Sequence, residues 1–194
     1  DRYWGYEGCD APWSLVASAF EAMQHLGGKS GFDLALYTGD LVAHAQTWEE
    51  SRDLVRYSES GLYDMMRHYL GNTTVVTAIG NHDSSPTEHA APHALPDGRS
   101  RQFSWDWGYV SKLWKSEGWL DDTHANTVRT HYGGYSIQPF PGLRVISFNT
   151  DFWYRGNSFA FIHTSNPDYS GTLRWVTDEL QRAAVSYTHL TLPT

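Results

Sequence analysis

Two short apolar segments, each followed by a glycine and then by polar side chains, constrain the fold of this chain most strongly. The first runs from Leu34 to Thr38 and precedes Gly39-Asp40, with His44 four residues after the aspartate. The second runs from Thr73 to Ile79 and precedes Gly80-Asn81-His82-Asp83. Both segments have the length and composition of buried strands. They therefore predict two strands whose carboxyl ends carry polar residues.

A helical pattern separates the two predicted strands. The capping box Thr47-Trp48-Glu49-Glu50 predicts the start of a helix that extends to about Leu70. An earlier helix is predicted from Asp10, as its N-cap, to Gly28, because apolar residues recur there at helical spacing. The order helix, strand, helix, strand is typical of a parallel sheet with crossover helices. The predicted fold class is therefore α/β.

The polar residues after the two strands are expected to share one cleft, because ligands of parallel sheets gather beyond the carboxyl ends of the strands. A carboxylate can bridge two cations, and a neutral amide oxygen can complete a ligand shell beside histidines. The alternative is structural, since aspartate and asparagine are also common turn residues and a loop histidine can hold the backbone. The candidate site residues are Asp40, His44, Asn81 and His82.

Further elements are predicted along the rest of the chain. A long surface loop is expected from Ser84 to Ser100, where its histidines are interpreted as solvated loop residues. The remaining predictions are a helix within Phe103 to Leu120, a hairpin of Tyr135 to Ile137 with Arg144 to Phe148, and a helix from Ser170 to Ala184.

Composition excludes some classes of partner. The 194 residues carry a formal net charge of −8 and no basic run, so the sequence predicts no positively charged surface that would bind nucleic acid. No segment approaches the roughly 18 apolar residues of a transmembrane helix. The nine Trp and twelve Tyr residues either pack in the core and loops or line a site for an amphipathic substrate.

Two features bear on the cellular compartment. Cys9 is a single cysteine, which in a secreted protein suggests a disulfide partner outside this sequence; a buried free thiol is the alternative. Asn72-Thr73-Thr74 is an N-glycosylation sequon, which has meaning only on a secretory route.

The motifs Gly39-Asp40 and Gly80-Asn81-His82-Asp83 resemble those of the calcineurin-like metallophosphoesterases. Tyr3 to Glu7, Pro139 to Thr150 and Thr172 to Trp175 extend the resemblance to the acid sphingomyelinase branch of that family. The resemblance implies a layered β-sheet sandwich flanked by helices. It also implies that Asp40 bridges two zinc ions and that Asn81 ligates one of them. His44 and His82 would then contact the phosphate and assist the leaving group.

The family pattern also includes motifs that this sequence lacks. An Asp-x-His motif would precede Asp1, and a Gly-His-x-His motif would follow the last helix. Residues 1–185 are therefore interpreted as a partial metallophosphoesterase domain, truncated at both ends. Residues 186–194 do not resemble the family and are expected to lie outside the fold.

The function implied by the resemblance is a zinc-dependent phosphodiesterase, secreted or in a lysosome-like acidic compartment. Its substrate would be sphingomyelin, cleaved to ceramide and phosphocholine at a membrane surface, or a related phosphodiester. One alternative is a phosphoesterase of the nucleotide type. Another is a binding protein without catalysis, because Asp40 and Asn81 alone do not assemble a binuclear metal site.

Overall fold

The computed structural model of the chain describes residues 3–44, 46, 48–91, 104–162 and 164–186. Helices and short strands alternate as far as the second strand, and the mixture of helices and strands along the chain confirms the predicted α/β class. In chain order they are α1 (Trp13–Gly27), β1 (Ala35–Tyr37), α2 (Arg52–Leu70), β2 (Val75–Thr77), α3 (Ser104–Ser116), α4 (Asp122–Thr130), β3 (Tyr135–Phe140), β4 (Leu143–Ser147) and α5 (Thr172–Ser186), with 3₁₀ turns at Asp151–Trp153 and Ser158–Phe161.

The first two strands pair in parallel and α2 connects them, as the sequence predicts. Ala35 lies opposite Val75 and Tyr37 opposite Thr77. One further backbone hydrogen bond, from Ala78 N to Tyr37 O at 2.8 Å, extends the pairing towards the glycine loops. The regular strands are shorter than predicted, because strand pairing ends where the glycine loops begin. Both carboxyl ends therefore open at the same edge.

The predicted starts of the first two helices are wrong. Helix α1 begins at Trp13 after Pro12, and no side chain caps it. The expected cap, Asp10, binds His44 instead. Helix α2 begins at Arg52, where the Ser51 side chain accepts a hydrogen bond from Leu54 N at 3.1 Å. Serine is a favoured N-cap residue, and here Ser51 caps the helix four residues after the predicted Thr47.

The predicted hairpin is confirmed, and it is joined to β2 by side chains. Strands β3 and β4 are antiparallel, with Tyr135 opposite Ser147. The Tyr135 hydroxyl accepts a hydrogen bond from Thr77 N at 2.8 Å. The Ser147 hydroxyl donates to Thr77 O at 2.6 Å. These two bonds satisfy the free backbone groups of Thr77 and place the loop after β4 beside the loop after β2.

Aromatic side chains form much of the core. Tyr63 meets Trp119 edge-to-face with ring centroids 5.6 Å apart, and Trp114 lies 5.5 Å from Tyr135. Such ring pairs add to the stabilisation from burial. Packing therefore accounts for much of the high aromatic content. Tyr3, Trp4 and Tyr6 are exposed, in contrast, near the start of the chain.

Helix α4 was not predicted, whereas α3 lies within the range Phe103 to Leu120 where a helix is predicted. Helix α3 ends at Ser116, and Gly118 then takes a positive φ of 78° that starts a new direction. Helix α4 has only Ala125 and Val128 buried, so its apolar periodicity is weak. Its clearest signal is the N-cap Asp121, which accepts a hydrogen bond from His124 N at 2.9 Å.

The last helix ends at Ser186, two residues beyond the predicted Ala184. The remainder of the segment 186–194 lies outside the described residues, so its exclusion from the fold stays a prediction. The Cys9 side chain is exposed, and the alternative of a buried thiol is therefore wrong. None of the helices in the described part of the chain is both long and apolar enough to cross a bilayer.

Candidate functional site

Two glycines allow the loops after β1 and β2 to touch. A Cβ atom added to Gly39 would lie 2.2 Å from the nitrogen of Gly80. A Cβ atom added to Gly80 would lie 2.4 Å from the nitrogen of Asp40. Any larger residue at either position would force the loops apart. The glycines of the two motifs are therefore required by close backbone contact, which brings Asp40 and Asn81 together.

Asp83 holds the two loops together from inside. Its side chain is buried, and Oδ2 accepts hydrogen bonds from Asp40 N at 2.7 Å and from Gly80 N at 2.8 Å. Its Oδ1 accepts a further bond from Leu41 N at 2.7 Å. Burial raises the pKa of Asp83, while the three amide hydrogen bonds oppose that rise. The sequence predicted no role for Asp83, although it closes the second motif.

Asp40 occupies a strained position between the loops. Its φ is 70°, a left-handed conformation that is uncommon for a residue with a side chain. Its Oδ1 accepts a hydrogen bond from His82 N at 3.1 Å. Such strain persists where surrounding contacts enforce it, often at functional sites. Here the Asp83 contacts to the backbone of Asp40 and its neighbours supply that constraint.

The two candidate catalytic histidines are adjacent. The ring centroids of His44 and His82 lie 4.2 Å apart. Asp10 fixes the first ring, because its Oδ2 accepts a hydrogen bond from His44 N at 2.7 Å and its Oδ1 binds His44 Nδ1 at 2.8 Å. A carboxylate only accepts hydrogen bonds, so Nδ1 carries the proton and Nε2 faces away from Asp10. The hydrogen bond to His44 lowers the pKa of Asp10, and the bond to Asp10 raises the pKa of His44.

A cavity of about 350 Å³ adjoins the two loops. Asp40 and Asn81 both line it, opposite a turn formed by Asn149, Thr150 and Asp151. Within the described residues, the rings of the histidine pair are not part of this wall. Asp40 belongs to both groups, because it lines the cavity and also binds the backbone of His82. The structure thus places Asp40 and Asn81 on one cavity wall and His44 against His82, outside that wall. The predicted single cleft therefore holds for Asp40 and Asn81, and the chemical roles of all four residues stay predictions.

The donor set fits part of a metal site. Asp40 offers a carboxylate and Asn81 a neutral amide oxygen, which are ligand types that divalent cations accept. Across the residues that the structure describes, no three or more His, Cys, Asp or Glu side chains are placed to hold a metal ion together. The described residues therefore account for two candidate ligands and not for a closed binuclear shell.

Three other histidines have structural partners. His89 is held at both ring nitrogens, by Thr87 O at 2.7 Å and by the Ser158 hydroxyl at 2.9 Å, so it is not the solvated loop residue that was predicted. His131 stacks on Trp175 with centroids 5.0 Å apart. His124 pairs with Asp121 at 2.7 Å.

Replacing Asp10 with asparagine is expected to lower the pKa of His44. An amide cannot supply the negative charge that now favours the protonated ring. The imidazolium of His44 would then lose its proton at a lower pH than in the unchanged chain. Nuclear magnetic resonance titration of the His44 ring proton at Cε1 measures this directly.

The chain offers a matched control for that experiment. Asp121 and His124 form a second exposed aspartate–histidine pair on α4. Changing Asp121 to asparagine should leave the titration of His44 unaltered. A His44 titration that is the same with Asp10 and with Asn at position 10 would show that the contact does not control the charge of the ring.

Comparison with known sequences shows the family of the chain. The Calcineurin-like phosphoesterase family profile matches residues 14–190. The chain is 34% identical over 182 residues to the sphingomyelin phosphodiesterase of Homo sapiens, covering 93% of this chain and 27% of that protein. It is 30% identical over 174 residues to sphingomyelin phosphodiesterase 2 of Caenorhabditis elegans, covering 89% of this chain and 27% of that protein.

A further relative carries a different activity in its name. The chain is 30% identical over 178 residues to a cyclic GMP-AMP phosphodiesterase of Homo sapiens, covering 90% of this chain and 35% of that protein. The chain spans about a quarter to a third of the length of these curated relatives. Because the family profile covers most of the chain, and because its two motifs form the loops joined by Asp83, the chain belongs to the calcineurin-like phosphoesterase family.

Proposed function

We propose that this chain is the motif-bearing part of a zinc-dependent phosphodiesterase of the sphingomyelinase type. The observation that carries the proposal is the meeting of the two motif loops at Asp83. That meeting sets Asp40 and Asn81 on one cavity wall and His44 against His82. Calcineurin-like phosphoesterases are metal-dependent, and the similarity to sphingomyelin phosphodiesterases supports this reaction type.

The histidine pair would serve the leaving group and the phosphate. A lipid alkoxide leaves poorly unless it receives a proton, and a positioned imidazolium can supply one. Asp10 holds the Nδ1 proton of His44 and raises the pKa of that ring, so Nε2 remains available to a substrate in the protonated state. The ring centroid of His82 lies 4.2 Å from that of His44, so His82 would add a second hydrogen-bond donor to the phosphate.

Zinc would be held in part by Asp40 and Asn81. When bound, a pair of zinc ions supplies the positive charge and the activation of water that phosphodiester hydrolysis needs. The remaining ligands would come from outside the described residues, in a longer protein that contains this chain. The 194-residue chain alone is then expected to turn over substrate very slowly.

The substrate we propose is sphingomyelin or a related phosphodiester, in a secreted or acidic compartment. The relatives named as sphingomyelin phosphodiesterases support the lipid, and the relative named as a cyclic GMP-AMP phosphodiesterase keeps a nucleotide as the second candidate. Asn72 of the glycosylation sequon is exposed just after α2, which suits a secretory route. Cys9 is exposed as well and is available to a disulfide partner outside this chain.

Removing Asp40 or His82 is expected to lower kcat/KM for a chromogenic phosphodiester by about a hundredfold or more in a longer protein containing this chain. Asp40→Ala removes the candidate bridging carboxylate, and His82→Ala removes a candidate donor to the phosphate. The measurement compares both variants with the unchanged protein, with and without a chelator. Asp33→Ala, an exposed loop change, is the control.

The same assay separates an enzyme from a binding protein without catalysis. Activity that a chelator does not reduce would contradict the metal mechanism. If the longer protein has no phosphodiesterase activity with zinc supplied, the binding protein is the correct alternative. If both variants retain activity within about twofold of the unchanged protein, the two residues are not part of the catalytic centre.

A further inference from the structure

The turn Asn149-Thr150-Asp151 forms the cavity wall opposite Asp40 and Asn81. It follows β4, so it lies beyond the end of the hairpin that is bonded to β2. Asn149 is 2% exposed and Asp151 is 5% exposed. Two polar side chains are thus almost fully buried at the edge of the candidate site.

Internal hydrogen bonds hold this turn in one conformation. Asn149 Oδ1 accepts a bond from Asp151 N at 2.8 Å. Asp151 Oδ2 accepts a bond from Ala90 N at 3.0 Å, and Asn157 Nδ2 donates to Asp151 O at 2.9 Å. Asn157 itself is fully buried and also donates to Ala90 O. The side chains of the turn are therefore preorganised and do not need a ligand to order them.

One hydrogen-bond donor and one acceptor of the turn lack a partner among the described residues. Asn149 Nδ2 and Asp151 Oδ1 are buried and have no hydrogen-bond partner within the part of the chain that is described. Buried polar atoms without partners are rare, because each costs the free energy of its lost hydration. Both residues line the cavity, so a molecule bound there can supply what these two atoms lack.

We propose that Asn149 and Asp151 contact the alcohol part of the substrate and select one that carries a hydroxyl or an amide close to its phosphate ester. The proposal rests on the proposed function and names the residues that choose between its lipid and nucleotide candidates. Asn149 would donate to a hydroxyl or carbonyl oxygen, and Asp151 would pair with a hydroxyl or amide N–H. The amide and hydroxyl of a ceramide group meet both requirements.

The negative charge of Asp151 on the cavity wall disfavours binding of a substrate with more than one phosphate. Burial raises the pKa of Asp151 to about 6, so at neutral pH its carboxylate adds negative charge opposite Asp40. A cyclic dinucleotide carries a second phosphate anion, which would be repelled there. A neutral hydroxyl both donates and accepts, so it pairs with Asp151 in either protonation state.

The test compares substrates in a longer protein containing this chain, at pH 7 with zinc supplied. Asp151→Asn has the same shape: its amide oxygen can keep the bond from Ala90 N, while its NH₂ replaces the unpaired acceptor. We expect the ratio of kcat/KM for short-chain sphingomyelin over cyclic GMP-AMP to fall by about tenfold, largely through KM. Asp178→Asn, a change on α5 at a half-buried residue that pairs with Arg174, should leave the ratio unchanged.

A substrate analogue provides a second test, and its measurement on the unchanged protein does not depend on whether a variant folds. Short-chain 3-deoxy-sphingomyelin lacks the hydroxyl, so the unchanged protein should lose about tenfold in kcat/KM. Asp151→Ala removes the partner of that hydroxyl and should lose much less between the same two lipids, whereas Asp151→Asn can still donate to the hydroxyl and should keep most of the loss. Equal losses in the unchanged protein and in Asp151→Ala, or a loss below about twofold in the unchanged protein, would overturn the contact. If the kcat/KM ratio of sphingomyelin over cyclic GMP-AMP is the same in Asp151→Asn and in the unchanged protein, the turn has only a structural role. Absence of all phosphodiesterase activity would instead refute the proposed function and the inference with it.

Discussion

Replacing Asp83 with alanine is expected to lower the free energy of unfolding by about 3 kcal/mol or more, because hydrogen bonds to a charged acceptor contribute about 1.5–3 kcal/mol each. The carboxylate accepts bonds from the backbone nitrogens of Asp40, Leu41 and Gly80. Alanine would leave all three donors without that acceptor in a buried position. Part of the loss is offset because the buried charge disappears as well.

The stability of the 194-residue chain can be measured by urea unfolding, with the Asp83→Asn variant beside Asp83→Ala. Asparagine keeps one accepting oxygen, so its loss should be smaller than that of alanine. Asp33→Ala changes an exposed loop aspartate and should have little effect. If Asp83→Ala unfolds at the same urea concentration as the unchanged chain, the two loops do not depend on this carboxylate.

The position of the candidate site could be predicted because local signals define it. An apolar strand followed by glycine and a polar residue occurs twice, and parallel strands end at one edge. Asp40 and Asn81 therefore follow from residues that are close in sequence. The same local signals identified the hairpin, whose strands pair as far as Phe140 and Leu143 and are joined by the turn Pro141-Gly142.

The supporting contacts could not be predicted because they join distant parts of the chain. Asp10 meets His44 from 34 residues away, and Ala90 N meets Asp151 from 61 residues away. No periodicity or motif links such pairs. Asp10 also had a plausible local role as a helix cap, and the sequence contains nothing to show that a histidine binds it more favourably. The start of α2 was mispredicted for a different reason, because Ser51 caps the helix through a local bond from Leu54 N and the capping-box pattern of Thr47 to Glu50 precedes it.

Two buried carboxyl groups, one on α2 and one on α3, are expected to make the stability of the chain strongly dependent on pH. Glu59 on α2 is completely buried and Asp106 on α3 is 2% exposed. Neither carboxyl has a hydrogen-bond partner among the residues that the structure describes. Burial raises the pKa of Glu59 well above its usual value, and the charges of Asp106 and Asp83 raise it further while Arg56 opposes them. Burial, and then the charge of Asp83, raises the pKa of Asp106 in the same way.

The direction of the effect follows from these raised values. In the unfolded chain both groups lose their protons near pH 4, whereas the folded chain retains them to a higher pH. The stabilisation is therefore complete below the unfolded pKa and is lost as pH rises through the folded pKa. Between those limits each group lowers the free energy of unfolding by up to about 1.4 kcal/mol per pH unit. Two groups with raised pKa values acting together make the fall in stability with pH steeper than either would alone.

Urea unfolding of the 194-residue chain at a series of pH values from 4 to 7.5 should therefore show decreasing stability as pH rises. The double variant Glu59→Gln with Asp106→Asn removes these two titrating groups at nearly constant volume, so the slope should become clearly shallower. The slope that remains belongs to other carboxyl groups with raised pKa values, among them Asp83 and Asp151. Asp53→Asn is the matched control, because Asp53 lies in the first turn of the same helix and its side chain is 92% exposed. A slope that is the same in the double variant and in the unchanged chain would show that Glu59 and Asp106 do not bind the protons. An unchanged stability from pH 4 to 7.5 in the unchanged chain would show that the core accommodates both carboxylates, which requires donors or a cation beside them.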